Sequence, residues 1–322
     1  MSTYPVPRHP LGDTGLSPSV LSMGSWHIYD RMDYGRAVEM IRKAVDAGIN
    51  MFDVGVYGTP DMMPPPMTDI IFSAVVRGAE LKREDYLLSE KLWLEGFDAD
   101  EGFMPQIKNA LFRFGSAYSD IVVLGDVRRD DLEMRDIVLS LAELKKAGLI
   151  KVWGVNNWSR ANVQACIDIA KDEGVDGPVF AQLKYSVARR SIPDGQPFAD
   201  LFAQGFKMQA SDIFEGGVLV KPTAPEREVG RDPGNIRQKI EAAAAEVKKI
   251  ADGFGITPAQ LCMAFTLTHQ HNFNTLFGAT KLSQLEQAIE AVALVEKIGA
   301  AEIRAAVEPL WCDKGVVDPE GP

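Results

Sequence analysis

The stretch that decides the fold runs from Ile121-Val122-Val123-Leu124, through a helical pattern over Asp131–Ala147 and Gly148, to Val152-Trp153-Gly154-Val155. Four consecutive apolar residues read as a strand buried on both faces, the pattern of a parallel sheet covered by helices. The helix stops at Gly148, a residue suited to the left-handed position just past a helix end. The second β-rich run then repeats the cycle, and strand, crossover helix, strand is how parallel neighbours must be joined.

The same cycle extends in both directions. Upstream, strands are expected at Val20–Gly24, Asn50–Val54 and Tyr86–Glu90, with helices over Asp33–Ala47, Met67–Gly78 and Glu101–Phe114. In the first helix Ala37, Met40, Ile41, Ala44 and Val45 share one face, the 3.6-residue periodicity of an amphipathic helix. Downstream come helix Arg160–Glu173, strand Val179–Leu183, helix Phe198–Phe202 and strand Phe206–Ala210. A Gly/Pro-rich stretch, Gly216–Asn235, precedes helices Ile236–Phe254 and Thr257–Thr268, strand Thr275–Phe277 and helix Ser283–Lys297. Eight strand–helix units with one extra helix before the eighth strand predict an α/β fold, a single (β/α)8 barrel domain over residues 1–322. No G-x-G-x-x-G follows the first strand, which excludes the usual Rossmann fingerprint.

Composition narrows the function classes. With 46% hydrophobic and 25% charged residues in 322, a large core is available and global disorder is excluded. Lys and Arg number 34 against 45 Asp and Glu, a net charge of −11 that disfavours nucleic acid and anionic membranes as partners. Cys166, Cys262 and Cys312 form no C-x-x-C pair, and the four histidines show no metal-ligand spacing. The chain shows neither a signal-type apolar stretch near its N-terminus nor a run of ~20 apolar residues, so a cytoplasmic protein is expected.

Barrel active sites lie at the C-terminal ends of the strands. Polar residues there are Ser25, Trp26 and His27, then Asp53 and Tyr57, Lys91, Asp126 and Arg128, Asn156 and Asn157, Gln182 and Tyr185, and Ser211 and Asp212. Asp53 and Lys91 fall on adjacent strands, so an ion pair across the mouth is expected, catalytic or merely structural. An ammonium beside a phenol lowers the phenol's pKa and makes it a usable acid, and Tyr57 is placed to be that partner. His27 offers an imidazole that could reach the mouth, against a bland reading as a packed or surface residue, and Asp126 with Arg128 offer substrate contacts, against the blander reading of a solvated loop. His269 and His271 read as structural residues at the opposite barrel end, Ile236–Phe254 as a capping helix, and Met62, Met63 and Met67 as an apolar wall.

Over nearly its whole length the chain resembles the aldo-keto reductases. The matching stretches are Leu11-Gly12-Asp13-Thr14-Gly15-Leu16, Asp46–Asp53, Ser89-Glu90-Lys91, Gly148–Ser159 and Phe277-Gly278-Ala279-Thr280. Trp153–Ser159 is similar to the subgroup that includes the potassium-channel β subunits. The resemblance implies a barrel that binds NADP, with NAD as the alternative, and interconverts a carbonyl and an alcohol with an Asp, Tyr, Lys and His tetrad. Asp53 and Lys91 match it. Tyr57 follows Asp53 by four positions where the family has five, so the tyrosine slot falls on Tyr57 across a shortened loop or on Gly58.

Departures cluster at the reacting centre. Gly125 stands where the family ends its fourth strand with the tetrad histidine, and Ala210 where an aromatic residue stacks on the nicotinamide. Asp212 replaces a proline, and the loop Thr59–Met67, with Pro64-Pro65-Pro66, has no family counterpart. For the nucleotide, the resemblance implies Ser25 and Trp26 beside the cofactor, and Asn157, with Asn156 next to it, and Gln182 at the carboxamide. It further implies Ser211, Gly217 and Lys221 around the pyrophosphate. Thr280, Lys281 and Gln284 open the last helix, whose N-terminus favours a phosphate. Lys281 would suit a 2′-phosphate, while Gln287 and Ala288 replace a Glu-Asn pair that contacts adenine in the family. Two rivals stay open: a nucleotide-binding sensor with little turnover, and a lyase, isomerase or dehydratase using space freed by Gly125 and Ala210.

Overall fold

Eight parallel strands pair in chain order and the last pairs with the first, closing a barrel. They are β1 (Leu21–Gly24), β2 (Met51–Asp53), β3 (Leu87–Leu92), β4 (Ser119–Leu124), β5 (Ile150–Asn156), β6 (Phe180–Lys184), β7 (Lys207–Ser211) and β8 (Asn272–Phe277). The computed structural model describes residues 5–57, 67–221, 229 and 233–322. Gly58, Met62, Met63, most of the Thr59–Met67 loop and part of the Gly216–Asn235 stretch lie outside the described residues.

Each strand feeds a helix: α1 (Tyr34–Asp46), α2 (Thr68–Gly78), α3 (Met104–Phe114), α4 (Met134–Lys146), α5 (Arg160–Glu173) and α6 (Gln196–Ala203). The insertion before β8 holds α7 (Ile236–Phe254) and α8 (Pro258–Leu267), and α9 (Leu282–Ile298) follows β8. All eight expected strands form, and the closed parallel barrel is the architecture read from the sequence.

Boundaries move where an acidic side chain ahead of the helix takes a partner of its own. The third helix starts at Met104 because the Asp98 carboxylate accepts from the N–H groups of Asp100 and Glu101, holding them in a turn. At α4 the Asp131 carboxylate is held by Arg129, and the helix begins at Met134. One helix was not expected: α10 (Ala300–Val307), set off from α9 by Gly299 at φ 103°. Beyond it the Asp313 carboxylate accepts from the N–H groups of Arg190 and Ser191, which ties the C-terminal segment over the barrel.

Inside the barrel, Met51, Ile121, Val123, Val152, Phe180 and Phe273 form one apolar cluster with Leu11 and Leu16, which plug the N-terminal end. The larger cluster lies between strands and helices and includes Ala37, Met40, Ile41 and Ala44 of α1. Alternation along each strand thus sends one set of side chains to the helices and the other into the lumen. At the C-terminal end the lumen set turns polar.

Candidate functional site

A cleft of about 2080 Å³ opens over the C-terminal ends of the strands. It is larger than the ~300–1,000 Å³ of an ordinary small-molecule pocket and has room for an extended ligand. Trp26, Tyr57, Lys91, Asn156, Asn157, Gln182, Ser211, Gly217, Lys221, Thr280 and Gln284 all line it. Asp53 lies just beneath, 3% exposed. Ser25 and Lys281 do not line it. Ser25 is fully buried with its hydroxyl unpartnered, its N–H donating to the Asp53 carbonyl and its own carbonyl accepting from Thr68.

The expected Asp53–Lys91 ion pair is not formed; Gln182 stands between them. The barrel stagger pairs Asp53 with Ser89, so Lys91 sits two residues, roughly 7 Å, further along β3. The Lys91 ammonium donates to Gln182 Oε1 at 2.6 Å, and Gln182 Nε2 donates to Asp53 Oδ2 at 3.0 Å. Lys91 is 8% exposed, its ammonium reaching the mouth.

Tyr57 folds back over this pair. Gly55 permits it: a Cβ there would stand 3.0 Å from Lys91 Cβ and 3.0 Å from Tyr57 Cζ. The Tyr57 hydroxyl donates to Asp53 Oδ1 at 3.4 Å. Burial, then the negative charges of Asp53 and Glu90, push its pKa well above 10.0. The phenol is therefore held protonated, against the expectation that the lysine would draw its pKa down. Trp26 packs on the Tyr57 ring at 4.5 Å between centroids, with Trp93 at 5.9 Å on an edge.

Trp93 was missed in the sequence, although it follows Lys91 by two and the period of a strand brings it to the same face. Its indole N–H donates to the Val56 carbonyl at 2.9 Å, and Gln106 grips its backbone N–H and carbonyl at 3.0 and 2.9 Å. A Cβ on Gly125 would stand 2.5 Å from Trp93 Cε3. The space expected to open at Gly125 is thus filled by the indole. Ala210 opens none either: it is fully buried within the core cluster between strands and helices.

Beside Gly125, the Asp126 carboxylate accepts from the amides of Asn156 and Asn157, the latter at 3.4 Å, and lies 3.8 Å from Arg128. It orders the mouth rather than lying loose in solvent. At the far end the N–H groups of Thr280 and Lys281 are capped by Gln284 Oε1 at 2.8 and 3.1 Å. Gln284 must turn aside before that helix end can meet a phosphate. His27 packs on Trp26 at 4.1 Å and faces Asp30 at 3.6 Å on the cleft rim. His269 contacts Asp194 at 3.6 Å and, with His271, packs against Phe202; neither histidine lines the cleft.

Backbone strain gathers at the same mouth. Of the five non-glycine residues with positive φ among the described residues, His27, Asn157 and Asp212 line it. Such conformations cost ~1–3 kcal/mol each and persist where a site over-determines them. Behind Lys91, facing the helices, Glu90 is 1% exposed with both carboxylate oxygens unpartnered. Burial, then the charges of Asp69 and Asp53, push its pKa well above 4.5.

Among the described residues, no group of three His, Cys, Asp or Glu could hold a metal ion, and no helix is long and apolar enough to cross a membrane. Residues 20–307 match the family model described as Aldo/keto reductase family. The candidate voltage-gated potassium channel subunit beta of Schizosaccharomyces pombe is 24% identical over 318 residues, covering 91% of this chain and 90% of its own. The L-galactose dehydrogenase of Arabidopsis thaliana is 24% identical over 315 residues, covering 93% of this chain and 94% of its own.

Proposed function

From the premise that the chain belongs to the aldo/keto reductase family, we propose that its cleft binds NADP, or NAD in its place, and interconverts a carbonyl and an alcohol. The observation that carries this reading is the gathering of a protonated phenol, an ammonium and a buried carboxylate, Tyr57, Lys91 and Asp53, at the inner end of an extended cleft. The donor set fits a nicotinamide dinucleotide. Asn157 and Asn156 offer amides at the inner end, and Trp26 a flat wall. Ser211, Gly217, Lys221, Thr280 and Gln284 offer hydroxyls, backbone and a cation further out. Bound there, the nicotinamide supplies or accepts the hydride.

The residues of the chain handle the proton. In reduction Tyr57 gives its phenolic proton to the oxygen that becomes the alcohol, and the Lys91 ammonium offsets the charge left on the phenolate. Asp53, through Gln182, holds Lys91 in place. No imidazole stands beside Gly125, where the Trp93 indole fills the space. Removing one positioned donor typically costs ~10²–10³-fold in rate. Carbonyl-bearing sugars are among the substrates to screen, since a dehydrogenase of L-galactose is a relative.

Titration with NADPH and NADH, followed by fluorescence and melting temperature, tests the reading. A thousandfold excess over Kd should stabilise the fold by ~4 kcal/mol. Absence of binding by both nucleotides removes it. A second reading, nucleotide binding with little turnover, is favoured by Trp93 in the histidine's place. Tight binding with no turnover on a broad carbonyl panel would establish that reading instead.

A further inference from the structure

A file of side-chain amides runs down the barrel from the mouth to the floor, and all of it is buried. Gln182 Nε2 donates to Gln209 Oε1 at 2.7 Å as well as to Asp53. Gln209 Nε2 donates to Asn274 Oδ1 at 2.6 Å and to Ser22 Oγ at 3.3 Å. Asn274 Nδ2 donates to the Ser19 carbonyl at 2.7 Å. Ser19 is itself held, its N–H donating to Asn50 Oδ1 at 2.8 Å and its hydroxyl accepting from the Asn50 N–H at 3.0 Å. Gln182, Gln209 and Asn274 are at most 2% exposed.

An amide has a donor end and an acceptor end, and a backbone carbonyl only accepts. Ser19 therefore obliges Asn274 to present its nitrogen downward and its oxygen upward. That oxygen requires the nitrogen of Gln209, whose oxygen in turn requires the nitrogen of Gln182. The remaining oxygen of Gln182 faces Lys91. Reversing any member would set acceptor against acceptor in a dry interior, where an unmade hydrogen bond is not replaced by water.

We propose that Gln182 is the positioning residue through which Lys91 and Asp53 act on each other, and that Gln209 and Asn274 hold its amide in that orientation from the barrel floor. The Gln182 amide thereby meets the ammonium, the carboxylate and Gln209 at once, at the wall of the cleft. The inference rests on the oxidoreductase reading for its meaning in turnover, but its geometry belongs to the chain alone. Ser22 is an accessory: the Ser19 carbonyl orients Asn274 without it.

The test is the Gln182 side-chain amide in the nucleotide-free protein. Its Nε2 resonance is followed by NMR in glutamine-labelled protein and assigned with Gln182→Met. Lys91→Met takes the ammonium from Oε1 and Asp53→Asn takes the charge from the partner of Nε2, so each should move that resonance. Gln209→Asn, too short to reach both neighbours, should move it and speed exchange of its protons with solvent, and Ser22→Ala should leave it in place. An unmoved resonance in folded Lys91→Met or Gln209→Asn overturns the proposal, and so does a shift in Ser22→Ala as large as that of Gln209→Asn. Should Lys91→Met fail to fold, Gln209→Asn decides. Neither nucleotide nor substrate enters this experiment, so failure to bind NADPH would end the oxidoreductase reading and leave the NMR result standing.

Discussion

The indole of Trp93 occupies the place of a side chain on Gly125: a Cβ there would stand 2.5 Å from Trp93 Cε3. The two positions are therefore one unit. Gly125→His should overpack the mouth and cost ~1–3 kcal/mol, read by urea denaturation. Combining it with Trp93→Ala should recover much of that loss, so the double variant should be more stable than the sum of the single changes allows. Strict additivity would mean that the ring and the glycine do not share the space.

Lys91→Met should lower turnover of an active carbonyl substrate by ~10²–10³-fold, and Tyr57→Phe should do the same, with Kd for the nucleotide little changed. Gly55→Ala reaches the same end by packing, since its Cβ would press on both residues at 3.0 Å. Steady-state kinetics beside a nucleotide titration separate the two effects. Full activity in Tyr57→Phe would remove that residue as the proton donor.

Because the Tyr57 phenol stays protonated well past its usual 10.0, the acid form is present throughout the neutral range. Carbonyl reduction should be flat from pH 6 to pH 8, while alcohol oxidation, which needs the phenolate, should climb with pH. Folding follows the same sign. The native state keeps a proton that the unfolded chain loses near pH 10, so this contribution is complete below pH 10 and is lost above it. Denaturation of Tyr57→Phe and the parent at pH 9 and pH 11 reads this out, the parent losing more.

Glu90 gives the same sign at lower pH. Its folded carboxyl titrates above the usual 4.5, so the stability it contributes is complete below pH 4.5 and declines as pH rises through the folded value. Glu90→Gln should flatten that decline and gain ~1–3 kcal/mol more at pH 8 than at pH 5. Urea melts at the two pH values measure it. Equal effects at both would show that the carboxylate finds a partner in solution.

Some of the site was legible in one dimension and some was not. Asp53, Lys91, Tyr57 and the two asparagines could be placed because a strand end and a short loop fix which end of the barrel a residue joins. Trp93 and Gln209 carried a usable signal, each two residues from a residue already assigned to the mouth, Lys91 and Ser211. The helix Ala300–Val307 and the C-terminal segment carried little, since their positions depend on Arg190 and Asp313, 123 residues apart in the chain.

What the amino-acid sequence determined by itself is the periodic part: eight buried strands, the helices between them, the extra helix before the last strand, and the end at which polar residues collect. Those follow from hydrophobic spacing and local turn chemistry, which act over a few residues. Only the tertiary structure decided that Gln182 separates Asp53 from Lys91, that Trp93 fills the place beside Gly125, and that Gln284 caps its own helix. Closing eight strands staggers neighbours by whole residues. Which side chains meet across the mouth is then set by that stagger and by the hydrogen bonds a dry interior demands.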